Sequence, residues 1–517
     1  MSSAPDLIVT ADRLFDAGGN AVAIQNGLIS GVGEATSILR SRGPRTRVIE
    51  VPGGLVCAGF HDAHAHLAAT GLARLEIDLH GLSAADIVAA VRAAAQAREP
   101  NRWIVGRGFD PALFPADGTT ARVALDDAAL VHPVLLRSHD YHCAALNSCG
   151  LVRAGFLPVP PTIAGGVIEV DGHGAPTGLT REMAANRASE AADDLTVDER
   201  ADAIAAVIPD LFRSGLTAVH DMSGSRWQSD LRALDAAGRL GVAVYATVSP
   251  ADVETEALTM PGERLTVTGM KVFLDGALGT RTALLLDAYE DDPTHVGIAV
   301  TSRASADECV ERAARNGLAS YLHAIGDGAV RTALDAVTGV RGPADAPLRH
   351  RVEHAQMVHD DDLPRFAEHG VIASVQPVHM AEDAAIVARH WGTRSREAFP
   401  LRRLADSGAA LAFGSDMPIE TFDVLAGVRC AVHRTGRDGT TLHADEALTV
   451  GESLRAYTAG AAFAVGAENT LGALRPGMRA SLTVLSHDID RHADALDDVG
   501  IALTVVDGEV VFGGDAQ

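Results

Sequence analysis

The chain is poor in aromatic residues and in basic residues. Aromatic residues make up only 4% of it although apolar residues make up 47%, so we expect an interior built mainly from Ala, Val and Leu. Lys and Arg number 43 against 68 Asp and Glu, which gives a formal net charge of −25. Nucleic acids and anionic membranes are bound by clustered cations. The charge balance therefore argues against either kind of partner.

Cysteines are few and long apolar runs are absent. The five cysteines are scattered, without a Cys-x-x-Cys pair, and are Cys57, Cys143, Cys149, Cys309 and Cys430. This spacing predicts neither a disulfide framework nor a thiolate zinc site. No window reaches the roughly 18 apolar residues that a membrane span needs, and the first residues lack the cationic segment of a secretory signal. We therefore expect a cytoplasmic protein. Any metal in it would need ligands from among the 21 His and the carboxylates.

From about residue 58 to residue 466, short β-branched runs alternate with Ala-rich segments that predict helices. Helix starts are marked by Ser or Thr followed by an acid three residues later, at Ser83, Thr196, Ser305 and Thr449. Eight apolar runs have the length of strands: Leu55–His66, Leu216–His220, Val242–Val248, Thr266–Leu274, Leu318–His323, Arg349–Gln356, Val371–Gln376 and Ala409–Gly414. Eight strand-helix units favour an α/β protein with a (β/α)₈ (TIM) barrel, although a doubly wound open sheet gives a similar pattern.

Two parts of the chain do not follow this repeat. Residues 71–192 separate the first run from the second and are too long for one strand-helix unit, so we predict an insertion that acts as a lid over the barrel mouth. Residues 1–57 and 470–517 alternate apolar and polar residues with Gly turns, which is typical of half-buried antiparallel strands. We predict that the two ends form one small β-sandwich domain, with the barrel spanning residues 58–469.

Polar residues lie at or near the ends of the predicted barrel strands. His64 and His66 are two residues apart on the first run, and side chains with that spacing on a strand point the same way. Lys271 lies inside an apolar run, where a lone ammonium is costly to bury. His323 closes the fifth run, His354 lies near the end of the sixth, and Asp416 follows the eighth. Barrel enzymes carry their active sites at this end of the strands. We therefore predict a metal site for Zn²⁺, with Mn²⁺, Fe²⁺ and Co²⁺ as alternatives that this ligand set does not exclude.

Several motifs occur together and in order along nearly the whole chain. They are PGGLVCAGFHDAHAHL, RWIVGRGFD, HCAALNS, MKVFLDGALGTRTA, LHAIGDGA, RHRVEHAQ and FGSDMP. With them the chain resembles the amidohydrolase superfamily, and specifically amidohydrolase family 3, the YtcJ-like metal-dependent hydrolases. The resemblance implies two divalent metal ions. His64, His66 and Asp416 would bind the first ion and His323 and His354 the second, with Lys271, carboxylated by CO₂, bridging the two.

The resemblance also implies an activity. It points to hydrolysis of a non-peptide carbon-nitrogen bond in a small amide, N-acyl or N-formyl compound, by a hydroxide that bridges the two metals. Asp416 would be the catalytic residue that accepts the proton of this hydroxide and passes it to the leaving nitrogen. The sequence does not identify the substrate, because loops and the insertion set specificity in such enzymes.

Four further residues are weaker candidates for substrate binding. His142 lies where the family shows Gly-His, but Tyr141 replaces that Gly. Arg281 follows the fourth run and either binds a carboxylate or carbonyl or forms an ion pair with an acid such as Asp275. His220 and Gln376 close the second and seventh runs and by position face the same mouth.

Two other functions compete with the dinuclear hydrolase. The resemblance to the superfamily also includes mononuclear deaminases, which carry an H-x-x-E motif on the fifth strand. Here Gly326, not Glu, stands three residues after His323. A non-catalytic scaffold that had kept the barrel would be expected to have lost ligands, and all six candidates are present. From the base rate of symmetric oligomers we expect a homodimer that acts on a small-molecule substrate.

Overall fold

Three β-sheets organise the chain. The computed structural model describes residues 4–114, 120–139, 141–192, 194–340, 342, 348–492 and 496–514. In these residues the strands are β1 (Leu7–Leu14), β2 (Ala21–Gln25), β3 (Leu28–Gly33), β4 (Arg47–Ala58), β5 (Phe60–Ala65), β6 (Ile77–Asp78), β7 (Ile104–Phe109), β8 (Val134–Ser138), β9 (Cys143–Leu146), β10 (Gly166–Val170), β11 (Pro176–Glu182), β12 (Leu216–Asp221), β13 (Ala243–Val248), β14 (Leu265–Phe273), β15 (Ala319–Ala324), β16 (Arg351–His354), β17 (Ile372–Val375), β18 (Ala410–Phe413), β19 (Leu482–Leu485), β20 (Ile501–Val506) and β21 (Glu509–Gly513).

Helices of one to four turns connect the strands. In the same part of the chain they are α1 (Ala35–Ile38), α2 (Leu67–Ala73), α3 (Ala84–Ala97), α4 (Ala121–Ala128), α5 (Ser148–Arg153), α6 (Met183–Ala191), α7 (Val197–Ala205), α8 (Ile208–Arg213), α9 (Gln228–Ala236), α10 (Glu256–Thr259), α11 (Arg303–Arg315), α12 (Asp327–Val337), α13 (Leu363–His369), α14 (Met380–Trp391), α15 (Leu401–Asp406), α16 (Val424–His433), α17 (Val450–Tyr457) and α18 (Ala459–Ala464). None of the helices that the structure describes has the length and apolar character that crossing a membrane requires.

Eight parallel strands form the central sheet. Their order is β18-β17-β16-β15-β14-β13-β12-β5, and every neighbouring pair is parallel. A parallel bridge between Ala65 and Met417 brings the first and the last strand of this sheet together. The predicted (β/α)₈ barrel is therefore confirmed, and the carboxyl ends of all eight strands open on the same side.

Seven of the eight predicted runs coincide with barrel strands to within two residues at each end, whereas the first run divides. Residues up to Ala58 belong to β4, which pairs with β19 in another sheet, and the barrel strand β5 begins at Phe60. The chain changes sheets at Gly59, where an added Cβ would lie 2.3 Å from Thr217 Oγ1. The apolar run is continuous because both sheets bury it, so hydrophobicity alone does not show the boundary.

Most predicted helix starts have the predicted caps. Ser83 accepts a hydrogen bond from the Asp86 amide, and Thr449 with Glu452 forms a reciprocal capping box. The prediction for Ser305 is wrong by one turn, since the helix begins at Arg303 with Ser302 as its N-cap. A serine occurs at both positions, and local sequence does not distinguish them.

The strands from the two chain ends form one seven-stranded sheet. Its order is β21-β20-β19-β4-β1-β2-β3, so the last three strands of the chain extend a sheet that the first four begin. Neighbours are antiparallel except for β1 and β4, which are parallel. A core that includes Val9, Val56 and Val484 unites residues from both ends. The exact limits 1–57 and 470–517 of this domain remain a prediction.

By their contacts, the residues form two compact units. One comprises Met1–Ala68 and Ile204–Gln517, and the other is Ala69–Ala203. The second unit has a six-stranded sheet of its own, in the order β10-β11-β9-β8-β7-β6, and cores around Ile104 and Trp103. This unit begins two residues before the predicted insertion and ends eleven residues after it. The limits 71–192 and the role of the insertion as a lid remain predictions.

Candidate metal centre

Two histidines on the first barrel strand and one aspartate after the last one form a cluster of ligand atoms. One such atom from each of His64, His66 and Asp416 lies within 4.8 Å of the other two. The Nε2 atoms of His64 and His66 are 3.4 and 3.2 Å from Asp416 Oδ1. Two imidazole nitrogens and a carboxylate oxygen with this spacing match a set of ligands for a divalent transition metal.

The backbone holds Asp416 directly against the first barrel strand. Its amide donates to the carbonyl of His64 at 2.7 Å, and its φ of 61° turns the chain sharply after β18. Asp62 accepts from the amides of Ser415 and His64 at 2.9 and 3.1 Å. Gly414 permits this approach, because a Cβ there would lie 2.3 Å from the His64 amide nitrogen. The loop and the strand are therefore fixed to each other.

The other three predicted ligands lie beside this cluster. Lys271 Nζ is 3.5 Å from His64 Nε2, and the His354 ring centroid is 4.7 Å from that of His64. The His323 ring in turn lies 4.5 Å from the His354 ring. All three side chains are at least nine-tenths buried. The structure thus brings all six predicted residues together at the mouth of the barrel.

Burial affects the protonation of these groups. It lowers the pKa of Lys271 to about 8, against the opposing charges of Glu353 and Asp416. Burial and the Lys271 charge lower the pKa of His64 to about 4, and burial together with His323 lowers the pKa of His354 well below its usual range. Neutral imidazoles are the form that binds metal ions.

A buried ion pair orients His64. His64 Nδ1 donates to Glu353 Oε2 at 2.6 Å, which leaves Nε2 directed toward Asp416. Arg351 Nε lies 2.8 Å from Glu353 Oε1, and both side chains are fully buried. Although burial raises the pKa of Glu353, the Arg351 charge and the hydrogen bond from His64 outweigh it and hold this pKa at about 2. A carboxylate behind an imidazole is the usual support for a metal-binding histidine.

Gln376 supports His354 in the same way. Its Oε1 accepts from His354 Nδ1 at 2.8 Å, and its Nε2 donates to the carbonyl of Ser374. Gln376 therefore lies at the mouth, as predicted, but it contacts a candidate ligand. Its binding of substrate remains a prediction.

The other weak candidates have partners of their own. His220 is fully buried, with its ring nitrogens 3.1 Å from Arg351 Nη1 and 3.4 Å from His61 Nδ1, and its binding of substrate remains a prediction. Arg281 Nη1 lies 3.6 Å from Asp291 Oδ2, an ion pair with an acid of the kind predicted as the alternative to substrate binding.

His142 lies in the unit Ala69–Ala203. Its Nδ1 is 2.8 Å from Glu182 Oε2, which ties the turn before β9 to the end of β11. This contact provides a structural role for His142. Its binding of substrate remains a prediction.

Sequence reasoning missed two kinds of residue at this centre. Glu353 and Arg351 occur in the quoted RHRVEHAQ motif, where two charged residues alternate on a strand that should be buried. This signal was available. His379, in the short 3₁₀ turn after β17, places its Nε2 3.9 Å from Asp416 Oδ2 and 3.2 Å from the carbonyl of Ser415. It lies beyond the strand end, and no strand position marks it.

The barrel and its six convergent donor residues define the class of metal-dependent hydrolases. In agreement, the sequence model of the Amidohydrolase family matches residues 47–512. The chain is 30% identical over 511 residues to the amidohydrolase YtcJ of Bacillus subtilis, covering 95% of this chain and 96% of that protein. It is 28% identical to the N-substituted formamide deformylase of Arthrobacter pascens, covering 94% of each.

Solved structures agree with this assignment. A metal-dependent hydrolase from Pyrococcus furiosus superposes with a TM-score of 0.76 at 30% identity, covering 93% of this chain and all of that one. The chain therefore belongs to the amidohydrolase family. It is a metal-dependent hydrolase that acts on carbon-nitrogen bonds.

Proposed function

We propose that the protein cleaves a non-peptide carbon-nitrogen bond of a small amide, N-acyl or N-formyl compound, using two divalent metal ions. The observation that carries this proposal is the convergence of one donor set at the barrel mouth, which comprises His64, His66, Lys271, His323, His354 and Asp416. The hydrogen bonds of His64 Nδ1 to Glu353 and of His354 Nδ1 to Gln376 add support, because they leave both Nε2 atoms available as metal ligands.

The donor set fits two ions. His64, His66 and Asp416 would hold the first and His323 and His354 the second, with Zn²⁺ as our choice and Mn²⁺, Fe²⁺ or Co²⁺ as alternatives. When bound, the ions lower the pKa of a shared water, so that hydroxide is available near neutral pH, and polarise the scissile carbonyl.

Lys271 would join the two halves of the site as a carbamate. Its lowered pKa leaves a larger share of neutral amine, whose nitrogen can bond to the carbon of CO₂ and release a proton. The product is an anion, which removes the cost of a buried ammonium. Lys271 Nζ is 3.5 Å from His64 Nε2, so the lysine lies beside the ligands of the first ion.

Asp416 would carry the proton. Burial raises its pKa, but the adjacent His64 and His66 outweigh this and keep the pKa well below its usual range, so the carboxylate is ionised before reaction. Its Oδ1 faces both histidines, and its side chain is about one-eighth exposed at the mouth. From this position it can take a proton from the attacking water and deliver it to the leaving nitrogen.

The substrate class rests on relatives and on the site. A similar protein of Arthrobacter pascens is an N-substituted formamide deformylase. We infer a small N-formyl or N-acyl compound of this general kind. We further propose that His142, Arg281, His220 and Gln376 contribute to substrate binding. Gln376 lies closest to the candidate ligands, because it contacts His354.

The test is a hydrolysis screen with metal-loaded protein. N-formyl, N-acetyl and N-benzoyl derivatives of methylamine, butylamine and benzylamine are incubated with the protein, and release of the free amine is measured. We expect turnover that a chelator abolishes and added metal restores. Release of ammonia from aminated heterocycles, with no turnover of the amides, would favour the deaminase. Failure of fully loaded protein on both sets would favour the scaffold.

We also propose a cytoplasmic homodimer without nucleic-acid or membrane partners. All five cysteines are free, as expected in a reducing compartment. The net charge of −25 opposes binding to polyanions. Sedimentation of the purified protein tests the dimer.

A further inference from the structure

We propose that Phe273 is a specificity residue that selects substrates with an apolar group, above all an aromatic ring, next to the scissile bond. This inference rests on the proposed function and adds a substrate class to it. It comes from the position of one exposed phenylalanine on the strand that carries Lys271.

Phe273 lies on the inner face of its strand. On β14, Gly269, Lys271 and Phe273 are spaced two residues apart, so their side chains point the same way. An added Cβ on Gly269 would lie 2.7 Å from the ring of Tyr321, a fully buried residue, which shows that this face points into the barrel. Phe273 therefore forms the outermost layer of the barrel interior, directly above Lys271.

The ring of Phe273 contacts the candidate ligands. Its centroid lies 5.1 Å from that of the His323 ring and 4.9 Å from Lys271 Nζ. Both neighbours belong to the part of the site that would hold the second metal. A group bonded to the reacting carbonyl or nitrogen would thus come within reach of this ring.

Phe273 is 45% exposed, whereas Lys271 and His323 are 3% and 5% exposed. The backbone fixes it there, because Thr301 Oγ1 donates to the Phe273 carbonyl at 2.6 Å and the next amide donates to the carbonyl of His323. A fixed apolar surface at the mouth gains free energy when it is covered, and it offers no hydrogen bond to a polar group. The occupant that we infer is an apolar substituent of the substrate.

The first experiment measures binding and not turnover. Benzohydroxamate and acetohydroxamate share a metal-binding group and differ in the apolar substituent. Their affinities for metal-loaded wild type and Phe273→Ala are compared by calorimetry. We expect the substitution to weaken benzohydroxamate more than acetohydroxamate by on the order of 10- to 100-fold, the range for an apolar pocket contact. Equal losses for the two probes, or none, would overturn the inference.

Two variants serve as controls. Phe273→Leu keeps an apolar side chain and should retain part of the preference, which separates loss of contact from loss of fold. Leu28→Ala removes an equally exposed side chain, 44% exposed on β3, and should leave both affinities at the wild-type value. Metal content per chain is measured for each variant. A full preference in a Phe273→Ala protein with normal metal content would contradict the proposal.

The kinetic arm identifies the side of the bond that faces Phe273. N-benzylformamide against N-methylformamide tests the amine side, and N-benzoyl against N-acetyl methylamine tests the acyl side. For one of the two pairs, we expect the kcat/KM of the aromatic substrate relative to that of the methyl substrate to fall in Phe273→Ala. If the wild type hydrolyses none of these amides but binds benzohydroxamate more tightly than acetohydroxamate through Phe273, the proposed function fails and the inference about Phe273 is kept. If it hydrolyses them without preference, only the inference fails.

Discussion

Asp416 is the residue on which the proposed chemistry depends most. Its Oδ1 faces both His64 and His66, and its amide is tied to the His64 carbonyl. We predict that Asp416→Asn keeps the fold and lowers kcat by about 10²- to 10⁴-fold, because the amide cannot carry the proton. Steady-state kinetics on the best substrate of the screen measures this effect.

The control for that variant is Asp406→Asn, which removes one exposed carboxylate at the end of α15. It should have the kcat of the wild type. An unchanged kcat in Asp416→Asn, with metal content retained, would exclude Asp416 as the proton carrier.

Glu353 supports the site without being one of the six candidates. We predict that Glu353→Gln weakens metal binding by about 10- to 100-fold, because it removes the charge that orients His64 and leaves Arg351 without its buried partner. Competition with a chelator measures the affinity. The exposed Glu368→Gln on α13 should bind metal like the wild type. Equal metal affinities for the two variants would show that Glu353 does not support metal binding through His64.

The sequence could predict the six donors because each is marked locally, by residue type and by its place inside an apolar run, as for Lys271, or at or near the end of one. It could not predict that His379 lies near Asp416, since that distance depends on how two loops pack. The sequence also does not show that both ring nitrogens of His220 have partners, because these partners come from other strands. The metal-binding and substrate-binding roles themselves remain predictions.

Among the elements, the close approach of β18 to β5 positions the first half of the centre. Gly414→Ala would place a methyl group 2.3 Å from the His64 amide nitrogen, which backbone atoms cannot accommodate without a shift. We predict a loss of about 1–3 kcal/mol in the free energy of unfolding and a lower metal occupancy. Chemical denaturation and metal analysis measure both.

Gly500→Ala provides the comparison for Gly414→Ala. No atom lies within 4 Å of a Cβ at that position, so the same change should leave stability and occupancy close to the wild type. Wild-type stability in Gly414→Ala would mean that the loop and the strand are not fixed as described.

At the scale of elements, periodicity predicted the order of strands and helices well. It failed where one element serves two sheets, as at Gly59, and where two serines compete to cap one helix, as at Ser302 and Ser305. Burial on both sides of Gly59 gives the same apolar pattern, so tertiary structure alone decides the boundary.

For the whole molecule, the main long-range feature is the union of the two chain ends. Arg13 on β1 donates to both carboxylate oxygens of Asp488, at 2.7 and 2.8 Å, and also to Asp490. Alternation of apolar and polar residues predicted that the ends pair. It could not predict the parallel pairing of β1 with β4, because register and direction depend on the partner strand.

We predict that Asp488→Asn lowers the free energy of unfolding by about 1 kcal/mol at pH 7. Burial raises the pKa of Asp488, but Arg13 outweighs it and holds this pKa below the ordinary value of 3.8. A lowered pKa stabilises the fold above that value and loses its effect as the pH falls through the folded-state pKa. The difference from the wild type should therefore shrink below pH 3.8.

Asp497→Asn is the charge-matched control, since Asp497 is an exposed acid in the same part of the chain. Chemical denaturation of the wild type and the two variants across the pH range measures the free energy of unfolding of each. A difference between wild type and Asp488→Asn that is constant with pH would show that the ion pair is not its cause.

The measurement that tests the central claim most directly is the metal content per chain, determined by plasma mass spectrometry. The protein is purified without chelators and with bicarbonate present, and Lys271→Ala is treated in parallel. We predict close to two transition-metal ions per wild-type chain. Lys271→Ala should lose the second ion and regain it in part with a short carboxylate. One ion in the wild type, or none after reconstitution, would contradict the dinuclear centre.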